Sequence, residues 1–497
     1  MTFALVPFPL ALTATEGRGL RLREGATIAG ESSIAAGLAQ RLSERTGLAV
    51  EASPEQSEWA RIDLRLRAGG SPESYEIVVD EASAVITASD AAGLFYGAQT
   101  LVQLVQQDAG GWFFPTVAIE DRPRFAYRGV MLDVARHFFP VETVTAYIDR
   151  AAALKFNHLH LHLSDDQGWR LQLASRPRLT EVSSGSSVGG DPGGFFTHED
   201  YAEIVRHAAS RHMTVVPEFD VPGHTHAVGV AYPELVEKPV LSAQTLETVQ
   251  ESGGSLPEAG VPYDGVAVGF SSLKIHDEAT YAFLADVFGE LAELTPGPYV
   301  HIGGDEALGT DPADFAEFMT RASSMVVSLG KTPIAWHEAG AAAGLDRATI
   351  GQYWGFTTPI DGAGEKTRTF VQRGSRVILS PADAIYLDMK PHADSALGLT
   401  WANGPTSLER AYSWDPGTTI EGVDESDILG VEAPLWSETP RTLADLDALA
   451  FPRIAAAAEI SWSPARGVER TWDSFRTRVD GLGPLWTSQG ITLPRAP

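Results

Sequence analysis

Three features of the sequence predict an α/β fold. After residue 121, eight short apolar segments recur with helical patterns between them. Each of these segments turns polar or aromatic at its end. The preceding residues read instead as short alternating strands with two amphipathic helices. Apolar strands alternating with helices signal parallel β/α units, and eight such units in about 370 residues build a (β/α)8 barrel of TIM type. The expected architecture is a TIM barrel preceded by a small α+β domain. The domains are 1–121 and 122–497, with the boundary at Asp121-Arg122-Pro123-Arg124.

In the first domain, RIDLRLRAG and YEIVVDEASAVITAS alternate as antiparallel strands do, and SSIAAGLAQRLSERTG and AAGLFYGAQTLVQLVQQ carry helical spacing. In the second, the strands are GVMLDVAR, FNHLHLHLS, TVVPEFDVPGH, YVHIGGDE, PIAWHEA, TIGQYWG, RVILSPA and LGVEAPLWSE. The helices between them include VETVTAYIDRAAALK, DEATYAFLADVFGELAEL and THEDYAEIVRHAASRH, whose Thr197 and Asp200 have capping-box spacing. The fifth helix is weakly written, and Lys390 to Ser426 reads as an irregular insertion. The run SSGSSVGGDPGG, Ser183 to Gly194, reads as a mobile loop, and LSAQTLETVQESGGSLPEAG as a surface excursion.

Composition narrows the function. With 37 Lys plus Arg against 65 Asp plus Glu, a formal charge of -28 repels nucleic acid and anionic lipid, so a neutral partner is expected. The chain has no cysteine, which removes thiolate nucleophiles, disulfides and Cys-ligated zinc. The amino-terminal MTFALVPFPLALTATEGRG lacks a basic start and is broken by two prolines, a poor signal peptide; a cytoplasmic location is the expectation, with no membrane span.

The strand ends converge on one rim of a barrel, where active sites form. They supply Arg136-His137, Asp165-Asp166, His224, Asp305-Glu306, Trp336-His337-Glu338, Trp354, Asp383, Trp436 and Glu438. In HLHLHLSDDQGWR, residues His158, His160 and His162 face one way and the intervening leucines the other. Three histidines on one face admit a metal site or a hydrogen-bonded polar core. The other rim positions offer mainly carboxylates and indoles, which favours the second. In HIGGDE, adjacent Asp305 and Glu306 can enter one pocket only if the chain curls out of the strand at Gly303-Gly304. Trp336, Trp354, Trp401 and Trp436 near the same rim suit the faces of a sugar ring or a methyl group.

In chain order, RGVMLDVARHFF, HLHLSDDQGWR, DVPGHT, HIGGDE, WHE, YLD and LWSE resemble the motifs of glycoside hydrolase family 20, the β-N-acetylhexosaminidases. The resemblance spans nearly the whole chain, and HIGGDE and DDQGWR are its most specific parts. It implies an exo-acting hydrolase of terminal β-linked N-acetylglucosamine or N-acetylgalactosamine that retains configuration without a protein nucleophile, an exception to the two-carboxylate scheme. The substrate's acetamido oxygen would form an oxazolinium intermediate, and no cofactor or metal is implied. On this resemblance Glu306 is the general acid and base, Asp305 holds the acetamido N–H, and Tyr386 donates to its carbonyl. Trp336, Trp354 and Trp436 box the acetamide, and Arg136, Asp388 and Glu438 bind hydroxyls. Asp165 and His224 sit behind Glu306. Strict alternation from His162 would turn Asp165 away from the histidine face, so this role requires the strand to have ended. The alternatives are a non-catalytic amino-sugar-binding protein on the same scaffold and a metal-dependent barrel hydrolase using His160 and His162.

Overall fold

The structure is a computed structural model that describes residues 3–53 and 61–493. The first two residues of the amino-terminal stretch and the last four of the chain lie outside them. The chain divides into two compact units. One runs up to Arg128 and adds Arg150–Phe156 and the residues from Ile454 on; the other holds Gly129–Asp149 and Asn157–Arg453. The sequence boundary at Asp121 falls inside the first unit.

The first unit contains a seven-stranded sheet. Tyr75–Val79 and Ser83–Ala88 form the antiparallel hairpin that their alternation predicts. The sheet is mixed, however: Ser83–Ala88 pairs parallel to Arg61–Leu66, which pairs parallel to Ala26–Ala29, itself parallel to Val50–Ala52. The cause is the helix Ser32–Thr46, which crosses between two of these strands as a parallel connection requires. Alternation reports a half-buried strand but not its direction. A buried carboxylate anchors the last residue of Val117–Asp121. Asp121 pairs with Lys155 Nζ at 3.0 Å and accepts from the Trp462 indole at 3.0 Å, the Leu10 amide at 3.0 Å and the Tyr75 hydroxyl.

The second unit is built on a closed barrel of eight strands, in which successive strands pair parallel. Its strands are Tyr127–Asp133, His158–His162, Thr214–Glu218, Tyr299–His301, Thr332–Trp336, Ile350–Tyr353, Val377–Leu379 and Ile428–Leu435. Each lies within or overlaps a strand read from the sequence. The helix His198–Ser210 starts with the expected Thr197/Asp200 capping box. The weak fifth helix is only a short 3₁₀ turn, His337–Ala341. Among the described residues no helix is long and apolar enough to cross a membrane.

A second expectation fails as well. Ser183 to Gly194 is held in place rather than mobile. The fully buried Arg170 guanidinium donates to the carbonyls of Ser184 at 2.8 Å, Ser186 at 2.7 Å and Gly194 at 3.3 Å, and the Val188 amide donates to Arg136 O at 2.9 Å. A planar cation with five donors can organise several carbonyls that have no regular partner. Composition registers the glycines but not this distant claimant.

Removing Asp121 would leave the buried Lys155 ammonium without its anion. Asp121→Ala should therefore cost about 3–5 kcal/mol, measured by denaturant titration followed through tryptophan fluorescence. A loss below about 1 kcal/mol would show the pair to be dispensable.

Candidate active site

At the end of the fourth barrel strand the chain leaves its extended path immediately. Gly303 has φ 63° and Gly304 φ 99°, and a Cβ on Gly303 would lie 1.7 Å from Asp220 Oδ1. Only glycine tolerates both the left-handed backbone and that approach. Asp220 Oδ1 accepts the Gly304 amide at 3.0 Å and so fixes the turn. Glu306 is itself left-handed, at φ 46°. The consequence is that neighbouring acids share one side. Asp305 Oδ2 lies 3.8 Å and Glu306 Oε2 3.6 Å from the same atom, His224 Nε2. Their side chains are 10% and 29% exposed, so Asp305 is the deeper and Glu306 the more accessible.

Behind them runs a buried chain of acids and imidazoles. His224 Nδ1 is 3.1 Å from Asp165 Oδ1, while Asp165 Oδ2 meets His162 Nε2 at 2.7 Å and Arg136 Nη2 at 2.8 Å. The second strand ends at His162, which frees Asp165 from the alternation and lets it turn back onto the histidine face. Burial disfavours the charge of Asp165, but Arg136, His224 and His162 outweigh it and hold its pKa well below the usual carboxylate range. Burial likewise opposes a charged His224, yet Asp165, Asp305 and Asp220 raise its pKa well above the usual imidazole value.

The three-histidine face is a polar core in its two upper members. His160 contacts Glu218 at 3.1 Å and Glu432 at 2.9 Å, and His162 contacts Glu218 at 2.5 Å besides Asp165. Both nitrogens of each ring thus face carboxylates. His158, lower in the strand, contacts Asn157 Oδ1 at 2.6 Å.

An aromatic wall adjoins the acids. Trp336, Tyr386 and Trp436 belong to one buried cluster with Met131 and Met389, against which Trp354 packs. Ring centroids are 6.1 Å apart for Trp336 and Trp436 and 6.4 Å for Tyr386 and Trp436. The half-exposed Trp401 from the Lys390 to Ser426 insertion meets Trp354 at 6.1 Å and Tyr386 at 5.8 Å. Trp336 is fully buried and donates its indole N–H to Glu218 at 3.0 Å, so it underlies the wall, while Trp354 donates to Glu338 at 3.0 Å. Burial, then Asp305, pushes Glu338 up to about 8. Burial, then Asp388 and Asp305, raises Tyr386, which keeps its phenol a donor.

A polar edge completes the site. The first and last strands are tied where Ser437 N donates to Asp133 at 3.0 Å and the His137 amide donates to Ser437 Oγ at 2.9 Å. Arg136 is thereby set 4.7 Å over the Trp436 ring, and its pKa rises because Asp165, Asp133 and Glu438 outweigh burial. Burial, together with Glu438, raises Asp388; burial, against the pull of Arg136, brings Glu438 up to about 7. Asp305 Oδ1, Asp388 Oδ2, Glu438 Oε2 and His224 Nε2 are buried atoms with no hydrogen-bond partner in the protein. Such atoms carry a desolvation cost that a ligand's hydroxyls and amide can relieve.

The residues expected to hold or act on substrate lie in the second unit, whereas Asp383, also expected at the rim, pairs with Thr357 and with Arg410 at 3.1 Å. Sequence reasoning placed Glu338 at the rim without giving it a role, and missed Glu218, Asp220 and Glu432 as parts of the site. The available signal was a lone acid in an otherwise apolar inner strand, which needs a buried partner.

The chain is 39% identical over 508 aligned positions to a β-N-acetylhexosaminidase of Cellulomonas fimi, covering 99% of this chain and 96% of that one. A solved structure described as a glycoside hydrolase family 20 β-N-acetylglucosaminidase superposes with a TM-score of 0.93 at 59% identity, covering 100% and 98% of the two chains. A family 20 β-N-acetylhexosaminidase from Streptomyces coelicolor A3(2) gives 0.90 at 41%, covering 99% and 98%. Residues 125–465 match the catalytic domain of glycosyl hydrolase family 20, and residues 2–122 match its domain 2. This chain belongs to glycosyl hydrolase family 20.

Proposed function

We propose that this protein is an exo-acting β-N-acetylhexosaminidase that removes terminal β-linked N-acetylglucosamine or N-acetylgalactosamine with retention, using the substrate's own acetamide as nucleophile. The observation that carries this reading is the convergence of Asp305 and Glu306 on His224 Nε2 beside the tryptophan wall. Among similar proteins, one from Streptomyces plicatus was solved as a mutant with GlcNAc as product.

The chemistry divides among the residues by exposure and charge. Glu306, the more accessible acid, donates its proton to the glycosidic oxygen as the bond to the anomeric carbon breaks. The acetamido carbonyl oxygen attacks that carbon from the opposite face, giving a cyclic oxazolinium. Asp305 accepts the acetamido N–H and stabilises the positive charge that develops, and Tyr386 donates to the carbonyl oxygen. Glu306, now ionised, takes a proton from water as it opens the ring, which restores the β-configuration. Arg136, Asp388 and Glu438 orient the ring hydroxyls. The unpartnered Asp388 Oδ2 and Glu438 Oε2 are suited to a neutral polyol, which also fits the strongly acidic chain.

Glu306→Gln preserves shape but has no proton to give. Turnover of an aryl β-N-acetylglucosaminide should fall by about 10²–10⁴ with the circular-dichroism spectrum unchanged; activity within tenfold of the unaltered protein would overturn the assignment. Asp305→Asn removes the anion that faces the oxazolinium. It should lower kcat by about 10²–10³ in the same assay, and a change confined to KM would reduce Asp305 to a binding group.

A further inference from the structure

Glu218 is a carboxylate with four partners inside the barrel. It is fully buried at the end of the third strand, in register with His162 on one side and His301 on the other. Its Oε2 faces His162 Nδ1 at 2.5 Å and His160 Nε2 at 3.1 Å, and its Oε1 faces His301 Nδ1 at 2.8 Å and accepts the Trp336 indole N–H at 3.0 Å. One oxygen thus serves the chain that leads to the reacting acids, and the other serves the wall of the acetamide pocket.

The protonation of His162 follows from contacts alone. An imidazole with carboxylate oxygens at both nitrogens satisfies both only as a cation, because the neutral ring has one N–H. His162 lies in that position between Glu218 and Asp165, with Arg136 Nη1 3.4 Å from its Nε2 and Trp436 edge-on at 4.8 Å. His160 is placed the same way between Glu218 and Glu432, with His301 stacked on it at 4.6 Å and Gln352 donating to Glu432 at 2.7 Å. Further titratable neighbours are Asp220, near His162 and Glu218, and Tyr147, which feels Glu432. Burial works against both imidazolium ions, yet their anionic partners raise His162 to about 9 and His160 to about 10.

We propose that Glu218 and His162 are positioning residues for the acid pair, Glu218 fixing His162 as a cation against Asp165 with one oxygen and the Trp336 indole with the other. The inference rests on the assignment of Asp305 and Glu306 as the reacting acids. Neither Glu218 nor His162 touches the substrate in this arrangement. Their effect passes through Asp165 and His224 to the protons of the pair, and through Trp336 to the wall. A fixed positive charge three contacts behind the acids opposes their protonation, and low-dielectric surroundings make that influence larger than in water.

The test is the pH profile of kcat/KM for His162→Gln and Glu218→Gln. In His162→Gln the amide can still donate to Asp165 but carries no charge, and the Glu218–Trp336 bond is retained. Losing the cation favours protonation of every neighbouring carboxyl, so the whole profile should move to higher pH by about one unit, read as about a tenfold change in kcat/KM on each limb, with KM near its original value. Glu218→Gln deprives His162 of its anion and should move the profile in the same direction. The double variant should move it no further than His162→Gln alone. Folded variants with an unmoved profile would overturn the proposal, while unaltered protein that fails to hydrolyse the aryl N-acetylglucosaminide would overturn the assignment beneath it. A measurement on the unaltered protein needs no variant to fold: ¹⁵N-histidine spectra of its 13 histidines should retain imidazolium resonances at pH 8, and their absence would overturn the proposal equally.

Discussion

Everything at this site depends on two glycines refusing to continue a strand. Successive residues of a strand point to opposite faces, so adjacent acids placed in regular β-structure would be divided between the barrel interior and the surrounding helices. The left-handed backbone at Gly303 and Gly304, locked by Asp220 accepting the Gly304 amide, cancels that division. Glu306 continues in the left-handed region, where a non-glycine residue is strained by about 1–3 kcal/mol. The surrounding structure sustains this conformation, and its result is that both acids face one imidazole.

The electrostatic design follows from that placement. Two acids beside buried Asp165, Asp220 and Glu338 would repel one another without cations interleaved. Arg136, His162 and His224 supply them, and the observed order alternates in sign from Glu432 through His160, Glu218, His162 and Asp165 to His224. Buried ion pairs are weak sources of stability because desolvation consumes most of the Coulombic gain. Their value here is orientation: each imidazole is held at both nitrogens, so neither its ring plane nor its proton is free to wander. The same barrel interior that in a simpler protein would be filled by branched aliphatic side chains is given over to this polar column.

How much of this was legible follows from which residues depend on local pattern. The eight strands announce themselves as apolar runs with polar ends, and the period of two puts His160 and His162 inward without knowledge of their partners. Asp165 defeats that period because the strand stops at His162 and a short hairpin of Ser164–Asp165 with Gly168–Trp169 takes over. The family motifs, not the pattern, identified it. Glu218 was invisible as a site residue because its partners are contributed by the second, fourth and fifth strands, which only barrel closure brings together. Arg170 shows the same limit from the other side, since a serine- and glycine-rich segment looks mobile until a buried guanidinium claims its carbonyls. Patterns of one strand are readable one strand at a time; bonds across the barrel are not.

In the proposed reaction the nucleophile belongs to the substrate, and Asp305 and Glu306 serve it. Replacing the acetyl group of an aryl β-N-acetylglucosaminide by its mono-, di- and trifluoroacetyl analogues drains electron density from the attacking oxygen while barely altering size. Participation predicts that kcat/KM falls steeply and monotonically with each fluorine and that the plain aryl glucoside is not cleaved. Rates that stay level across the series, or a glucoside cleaved as readily as the amide substrate, would contradict it.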